Sequence, residues 1–419
     1  MVGNEVVGSS TQGYLWDIIH DYIIPGVQEQ FYNQTFLLDQ LKTSSKDVNG
    51  RQILIKHKLW RNRSAGTFSE RGNLPTAKSR GFKESHAELK YFSVPVDFSG
   101  QELRLTKGKE QHIDLIADGF EDAMKGGLEE MNFILWNDGS GRRCQVNGAL
   151  TSDGTNTTVT FDNGSRFWMF DRMSINFGTD TVDYEIISVP TATTFVVAGT
   201  ACYDAYVAGT IADDDWIYRS GGYDASYALD PWGLKIHVGT TNGVHSDYQG
   251  LDRTAAGYEW LKAYVNGSGS TTVLTSLLLQ RHIRTHKQKN GEYPDLIICD
   301  PPSLGSFILL LENTNGGGTD YVVSKTGFAK DIKFVYAGQE MTLRVADDCW
   351  PYSFYFLTKK ALEIREGFKL QWDMEGGGKL VRDKDTDTYW GRMLWYLNMI
   401  CLNNRQLSLL TGIKPDAIA

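Results

Sequence analysis

The stretch from Thr106 to Trp136 limits the fold most. Ile113, Ile116, Phe120, Met124, Gly127, Met131, Ile134 and Leu135 recur at steps of three and four, so they share one face of a helix. Thr106 is placed to cap its start, and Asn137-Asp138-Gly139-Ser140-Gly141 breaks its end. About 30 residues at 1.5 Å each predict a rod of roughly 45 Å, where an average globular helix has about 11–12 residues. Glu110, Asp114, Asp118, Glu121, Asp122 and Glu129 fall on a neighbouring stripe, within about 120° of arc.

Ahead of it, residues 1–13 read as a small, polar arm. Two short helical pieces follow, one ended by Pro25 and one running to about Leu41. From Gln52 to Asn62, Ile53, Ile55, His57 and Leu59 alternate with Leu54, Lys56, Lys58 and Trp60, which is a strand pattern. A second alternating run spans Lys83 to Phe98. The two predict a long hairpin, and the roughly 20 residues between them, rich in Gly, Ser, Arg and Lys, form its tip. A lone hairpin is marginal in water, so this one must rest on something else. Its tip and approaches carry Arg61, Arg63, Arg71, Lys78, Arg80 and Lys83 against few acids.

Beyond the helix, residues 139–230 have no helical periodicity. Short β-prone runs at Val159–Phe161, Phe167–Phe177, Val182–Val189 and Phe195–Val197 predict a small barrel or sandwich. Asp213-Asp214-Asp215 reads as a solvated turn rather than a cation site. Residues 231–350 predict a mixed α/β layer, with helices over Tyr258–Asn266, Val273–Lys289 and Pro301–Glu312 and strands at Asp295–Cys299, Ile332–Tyr336 and Met341–Val345. Strands at Phe354–Leu357, Leu362–Arg365 and Phe368–Trp372 come next, then a last helix over Thr388–Asn403.

The net charge of −9 argues against a dedicated nucleic-acid binder, so any basic surface is local. Cys144, Cys202, Cys299, Cys349 and Cys401 are widely spaced and read as small core residues, not as a disulfide or zinc framework. No apolar run nears the ~20 residues that span a bilayer, and Met-Val-Gly-Asn-Glu carries no signal pattern. His282 and His286 stand at i and i+4, a metal-binding spacing. Their surroundings, Arg281 to Lys289, are basic and lack a carboxylate, so a solvated basic face is the better reading. Asp383 to Asp387 starts like a calcium loop but fails at Thr388 and Leu394, and reads as a helix N-terminus. No nucleophile elbow, phosphate loop or dinucleotide fingerprint occurs, so neither an enzyme nor a cofactor is expected.

The order of arm, hairpin, long helix, α/β layer and returning strands resembles the major capsid proteins of tailed bacteriophages with the HK97-type fold. The resemblance is carried by Pro25-Gly-Val-Gln-Glu-Gln-Phe-Tyr-Asn33, Glu70-Arg-Gly-Asn-Leu-Pro75, Asn137-Asp-Gly-Ser-Gly141, Tyr293-Pro-Asp-Leu-Ile-Ile-Cys-Asp-Pro301, and Trp372, Gly376, Asp383 and Tyr389. It implies an α+β chain with an N-terminal arm (1–48), an extended loop (49–97), a peripheral domain with a spine helix (98–141 and 351–419) and an axial domain (231–350). An all-β domain is inserted at 142–230. It implies a coat protein that tiles an icosahedral shell as hexamers and pentamers in the virion, assembled in the host cytoplasm around weakly contacted double-stranded DNA. Portal and decoration proteins are implied partners. The short arm implies a separate scaffolding protein. No membrane is involved. An encapsulin-like compartment, a tail or adhesin protein and a metal enzyme using His282 and His286 are the other readings. The family's loop lies across a neighbouring subunit, so the hairpin cations are expected to dock on the helix acids of the next copy.

Overall fold

The computed structural model describes residues 36–60, 64–76, 81–101, 115–162, 174–178, 182–191, 193–220, 223–224, 227–267, 272–313, 332–373, 380–383 and 386–413. The arm, the first helical piece, the Thr106 cap, Arg61, Arg63, Lys78, Arg80, Glu110 and Asp114 lie outside them.

The strand Thr388–Cys401 is the centre of the main sheet. It runs antiparallel to Leu362–Trp372 on one side and to Lys90–Ser99 on the other. Lys42–Ser44 adds a parallel edge to Leu362–Trp372. This corrects the helix expected over Thr388–Asn403. Met393, Trp395 and Leu397 alternate with half-buried neighbours, but from Leu397 to Cys401 both faces are buried. A strand covered on both faces loses its two-residue period and imitates a helix. The Asp383–Asp387 stretch accordingly precedes a strand, not a helix; Val381–Arg382 pairs back on Tyr389 and Trp390. Tyr258–Asn266 is likewise no helix. One 3-10 turn, Glu259–Leu261, leads to the strand Tyr264–Asn266, whose pairing with Leu407–Thr411 overrides local preference.

Within the described residues the long helix runs Leu115–Ile134, about 30 Å. Phe120 meets Phe98 edge-on and lies 4.5 Å from the Trp372 ring. Met131, Ile134, Leu135 and Trp136 are buried, whereas Met124, on the same face by spacing, is exposed. Asn132 is fully buried and ties three segments. Its Oδ1 accepts the Leu37 and Leu38 amides (2.8 and 3.3 Å), which open the short helix Phe36–Gln40, and its Nδ2 donates to Asp348 (2.8 Å). After the helix the Asp138 carboxylate accepts the Ser140 amide and hydroxyl, and Gly139 and Gly141 turn the chain with φ of +80° and +78°.

The alternating run Lys83–Phe98 divides at Leu89. Gly81–Glu88 pairs with Gln52–Trp60 as the hairpin, while Lys90–Ser99 crosses into the main sheet. Residues 142–219 contribute a seven-stranded sheet with its own core of Val159, Phe161, Phe177, Phe195 and Ile217. It also carries the helix Ala201–Val207, which corrects the strand-only reading; its seven residues bury only Cys202, too little to print a period. Six strands, in the order Tyr264–Asn266, Leu407–Thr411, Ser353–Leu357, Leu296–Cys299, Gln339–Val345 and Ile332–Tyr336, form the mixed sheet, with helices Ser276–Asn290 and Pro301–Asn313. All five cysteines are buried thiols outside any disulfide, as small core residues are.

Two adjacent glycines test the helix packing. A Cβ at Gly127 would lie 2.6 Å from Val94 Cγ2, whereas one at Gly126 meets nothing within 4 Å. Gly126→Ala is expected to raise the unfolding free energy by about 0.5–1 kcal/mol. Gly127→Ala is expected to lower it by about 1–3 kcal/mol through overpacking. Denaturant midpoints of the two variants check the opposite signs.

Candidate functional site

The hairpin has two unlike faces. Ile53, Ile55, His57, Ser85 and Ala87 turn inward, and the apolar ones pack with Trp232, Tyr248 and Leu261. His57 Nε2 bonds the Ser85 hydroxyl at 2.7 Å, and its ring lies 4.7 Å from that of Trp260. The His86 amide donates to the Gln249 carbonyl, and a Cβ at Gly250 would strike the His86 ring. The base of the hairpin therefore rests on residues 232–261 of its own chain.

Its outer end does not. Trp60, Phe68, Leu74 and Phe82 are 55%, 60%, 71% and 64% exposed. The Trp60 indole lies across Gly81, where a Cβ would come within 2.2 Å of the ring, so only glycine leaves room for the indole there. Four large apolar side chains exposed on one projection exceed the scattered singles of an ordinary surface and mark an interaction site. Trp60 and Phe82 occupy the outward phase of the alternation, and that signal was present in the sequence.

The charged residues are placed as follows. Arg71 is exposed at the tip. Lys83 is half-buried, its ammonium bonded to the Tyr258 hydroxyl and 4.0 Å from that ring centre. Asp118, Glu121, Asp122 and Glu129 lie on the long helix, Glu121 paired with Lys125 at 3.1 Å. Among the described residues, neither Arg71 nor Lys83 pairs with an acid of the long helix.

A buried ionic cluster joins the long helix to the seven-stranded sheet. Glu130 pairs with Arg143 and, at 3.0 Å, with Arg219; Arg219 reaches Asp230 at 2.8 Å. Burial pushes the Asp230 carboxyl up, against the pull of Arg219. Arg143 also lies over the Phe133 ring. Sequence spacing gave no sign of this cluster, because its members come from four separate segments.

His282 and His286 are not on a solvated face. Both are fully buried on the inner side of the helix Ser276–Asn290 and share the Ser408 hydroxyl at 3.0 and 2.8 Å. The basic residues between and after them take the outer side. Among the described residues no group of three His, Cys, Asp or Glu side chains is placed to hold a metal. The Asp213–Asp215 stretch is a turn whose carboxylates accept backbone amides of Gly148, Asp214 and Ala212. Among the described residues no helix is long and apolar enough to cross a membrane.

The fold has solved counterparts. The cyanophage A-1(L) capsid asymmetric unit matches with a TM-score of 0.57 at 12% identity, covering 93% of this chain and 96% of that one. The capsid of Myoviridae phage XM1 matches at 0.45 and 10% identity (94% and 98% covered), and an encapsulin complex from Synechococcus elongatus at 0.44 and 8% (97% and 97%). No family model and no curated protein matches the chain. The first of these likenesses shows that the chain has the fold of a phage capsid subunit.

Burial sets a pH dependence. It holds His237 and His282 down at about 3 and His286 at about 4, and lowers His57 and His245 too. At His237, His282 and His286 the unfolded chain takes up protons near pH 6.5, whereas the folded chain refuses them until about 3–4. Between those limits the unfolded state binds more protons, so stability is full above about pH 6.5 and falls as pH drops. Each histidine contributes up to roughly 1.4 kcal/mol per pH unit. Denaturation between pH 7 and 4.5 should show this slope, reduced in His286→Gln; a flat profile contradicts the burial argument.

Proposed function

We propose that this chain is the major capsid protein of a tailed double-stranded DNA bacteriophage, tiling an icosahedral shell as hexamers and pentamers. The observation that carries the reading is the likeness to a capsid subunit over nearly the whole of both chains. The apolar hairpin tip supports it, because a subunit that buries Trp60, Phe68, Leu74 and Phe82 must do so on another molecule. On this reading residues 49–97 are the extended loop, 98–141 and 351–419 the peripheral domain, 231–350 the axial domain and 1–48 the arm. The role is structural, not enzymatic, and the subunit works in the virion after assembly in the host cytoplasm, with portal, scaffolding and decoration proteins as partners. Hairpin cations such as Arg71 dock on the acidic flank of the next subunit's helix, at Asp118, Asp122 and Glu129. Single exposed pairs give about 0.2–1 kcal/mol each, so register and repetition matter more than any one pair.

Electron microscopy of the expressed protein, alone and with its scaffold, should show capsomers, sheets or shells. A strictly monomeric protein at every concentration refutes the proposal. Assembly yield should drop in Arg71→Glu with Arg80→Glu and in Asp118→Lys with Asp122→Lys, and partly recover when the two pairs are combined. Nucleic acid inside purified virions separates this reading from an encapsulin-like compartment.

Residues 142–230 are read as an inserted domain on the outer face of the shell, supported by the separate core around Phe161 and Phe195. Expressed alone, this fragment should melt cooperatively. A disordered fragment would make its strands dependent on the main body.

A further inference from the structure

The helix Ser276–Asn290 has a basic outer face. Arg281, Arg284, Lys287 and Lys289 are all exposed, and the helix contains no Asp or Glu. In a chain of net charge −9 this is a local reversal of sign. Lys287 and Lys289 have an ordinary explanation. They lie in the last turn, where cations complement the helix dipole, and each sits over a ring, Tyr293 at 4.1 Å and Tyr264 at 4.3 Å.

Arg281 and Arg284 have no such explanation. They are mid-helix and three residues apart, and Lys287 stands three beyond Arg284. Like charges at that spacing repel and destabilise a helix. Neither arginine is ion-paired among the described residues. The nearest acid beyond the helix end, Glu292, is taken by Lys360. Fold stability is served by the inner face, where His282, Ile283 and His286 are buried, and gains nothing from crowding cations outside.

We infer that this face is a binding surface for the phosphate backbone of double-stranded DNA. Arg281, Arg284 and Gln288 lie along one stripe about 10 Å long. That length equals about three base-pair rises along the axis of a duplex. A planar guanidinium grips phosphate through paired N–H groups, and Gln280 and Gln288 add neutral donors beside it. The regular spacing on a rigid rod favours a regular polyanion over an acidic peptide. Few cations on an otherwise acidic chain give weak, salt-sensitive contact, which lets DNA be packed and released. The inference rests on the shell reading for where such DNA comes from.

The test is the binding of a fluorescent duplex of about 20 base pairs to the full-length protein, titrated over a salt series. Wild type should bind at low salt, with log affinity falling linearly against log salt. Arg281→Gln with Arg284→Gln should reduce that slope by about two and weaken low-salt binding at least about tenfold. Its melting temperature should be unchanged or higher, because repulsion is removed. Lys369→Gln, at an exposed cation of the strand Leu362–Trp372, should leave the slope unchanged. Absent binding at low salt, an unchanged slope in the double variant, or equal competition by polyglutamate of the same charge each overturns the inference. Capsomers or open sheets that form normally but ignore the duplex sink this inference alone. A monomer that binds the duplex through these arginines sinks the shell reading instead.

Discussion

The strand Thr388–Cys401 is the constraint on which the remaining structure depends. It lies between a strand shortly before it in sequence and one almost 300 residues earlier, so the main sheet closes only when Thr388–Cys401 returns to Lys90–Ser99. Its buried half also serves the neighbours. Asn398 Nδ2 donates to the Glu88 carbonyl, and Asn398 Oδ1 accepts the Trp232 amide, so one side chain holds the hairpin base and the start of the segment beneath it. The Met399 and Cys401 carbonyls accept His237 Nε2–H and the Gln249 side-chain Nε2–H. Because His237 Nε2 must then carry the proton, Nδ1 is the acceptor for the Tyr248 hydroxyl, which in turn accepts from Asn404. A chain of neutral donors and acceptors thus links this strand to residues 237–249.

Charge is used at the joints instead. Arg253, fully buried, donates to the Ile236 and Gly239 carbonyls and lies over the Tyr248 ring, closing the short helix Leu234–His237 from inside the loop it belongs to. Glu130 and its two arginines do the same between the long helix and the seven-stranded sheet. Removing one partner of such a cluster leaves the others buried and unpaired, a larger loss than the pair itself is worth. The sheet of residues 142–219 is therefore held at a fixed attitude to the helix end, and is not merely strung between glycines.

The sequence made the long helix, the hairpin and the α/β layer legible, because each keeps one face wet and so prints its period. Ile53, Ile55 and His57 against Leu54, Lys56 and Lys58 is such a record. The period fails where burial is two-sided, as at Leu397–Cys401, and where an element is too short, as at Ala201–Val207. His282 and His286 misled in the opposite way. Their neighbours are cations, but a helix turns about 100° per residue, so a basic run and a buried histidine pair share one segment on opposite sides. The ionic cluster was illegible because spacing in sequence says nothing of residues drawn together by four different segments. The apolar tip was legible in the alternation and needed only the wet phase to be read with the same care as the dry one.

That tip poses a problem that the charge balance answers. Trp60, Phe68, Leu74 and Phe82 exposed together would drive indiscriminate association of free subunits. A net charge of −9 opposes it, since each subunit repels its copies at distances within the Debye length. Apolar attraction acts only at contact, whereas the repulsion acts before contact. Approaches that bring acid to acid are therefore rejected early. On the proposed shell reading, an approach that brings a local cation such as Arg71 to an acidic face of the next copy would meet a lower barrier and deliver the apolar tip to one place. Complementary charge would then select the register while apolar burial supplies the affinity. The two act at different ranges, so salt loosens the selection more than the adhesion: added salt should speed association while degrading its order.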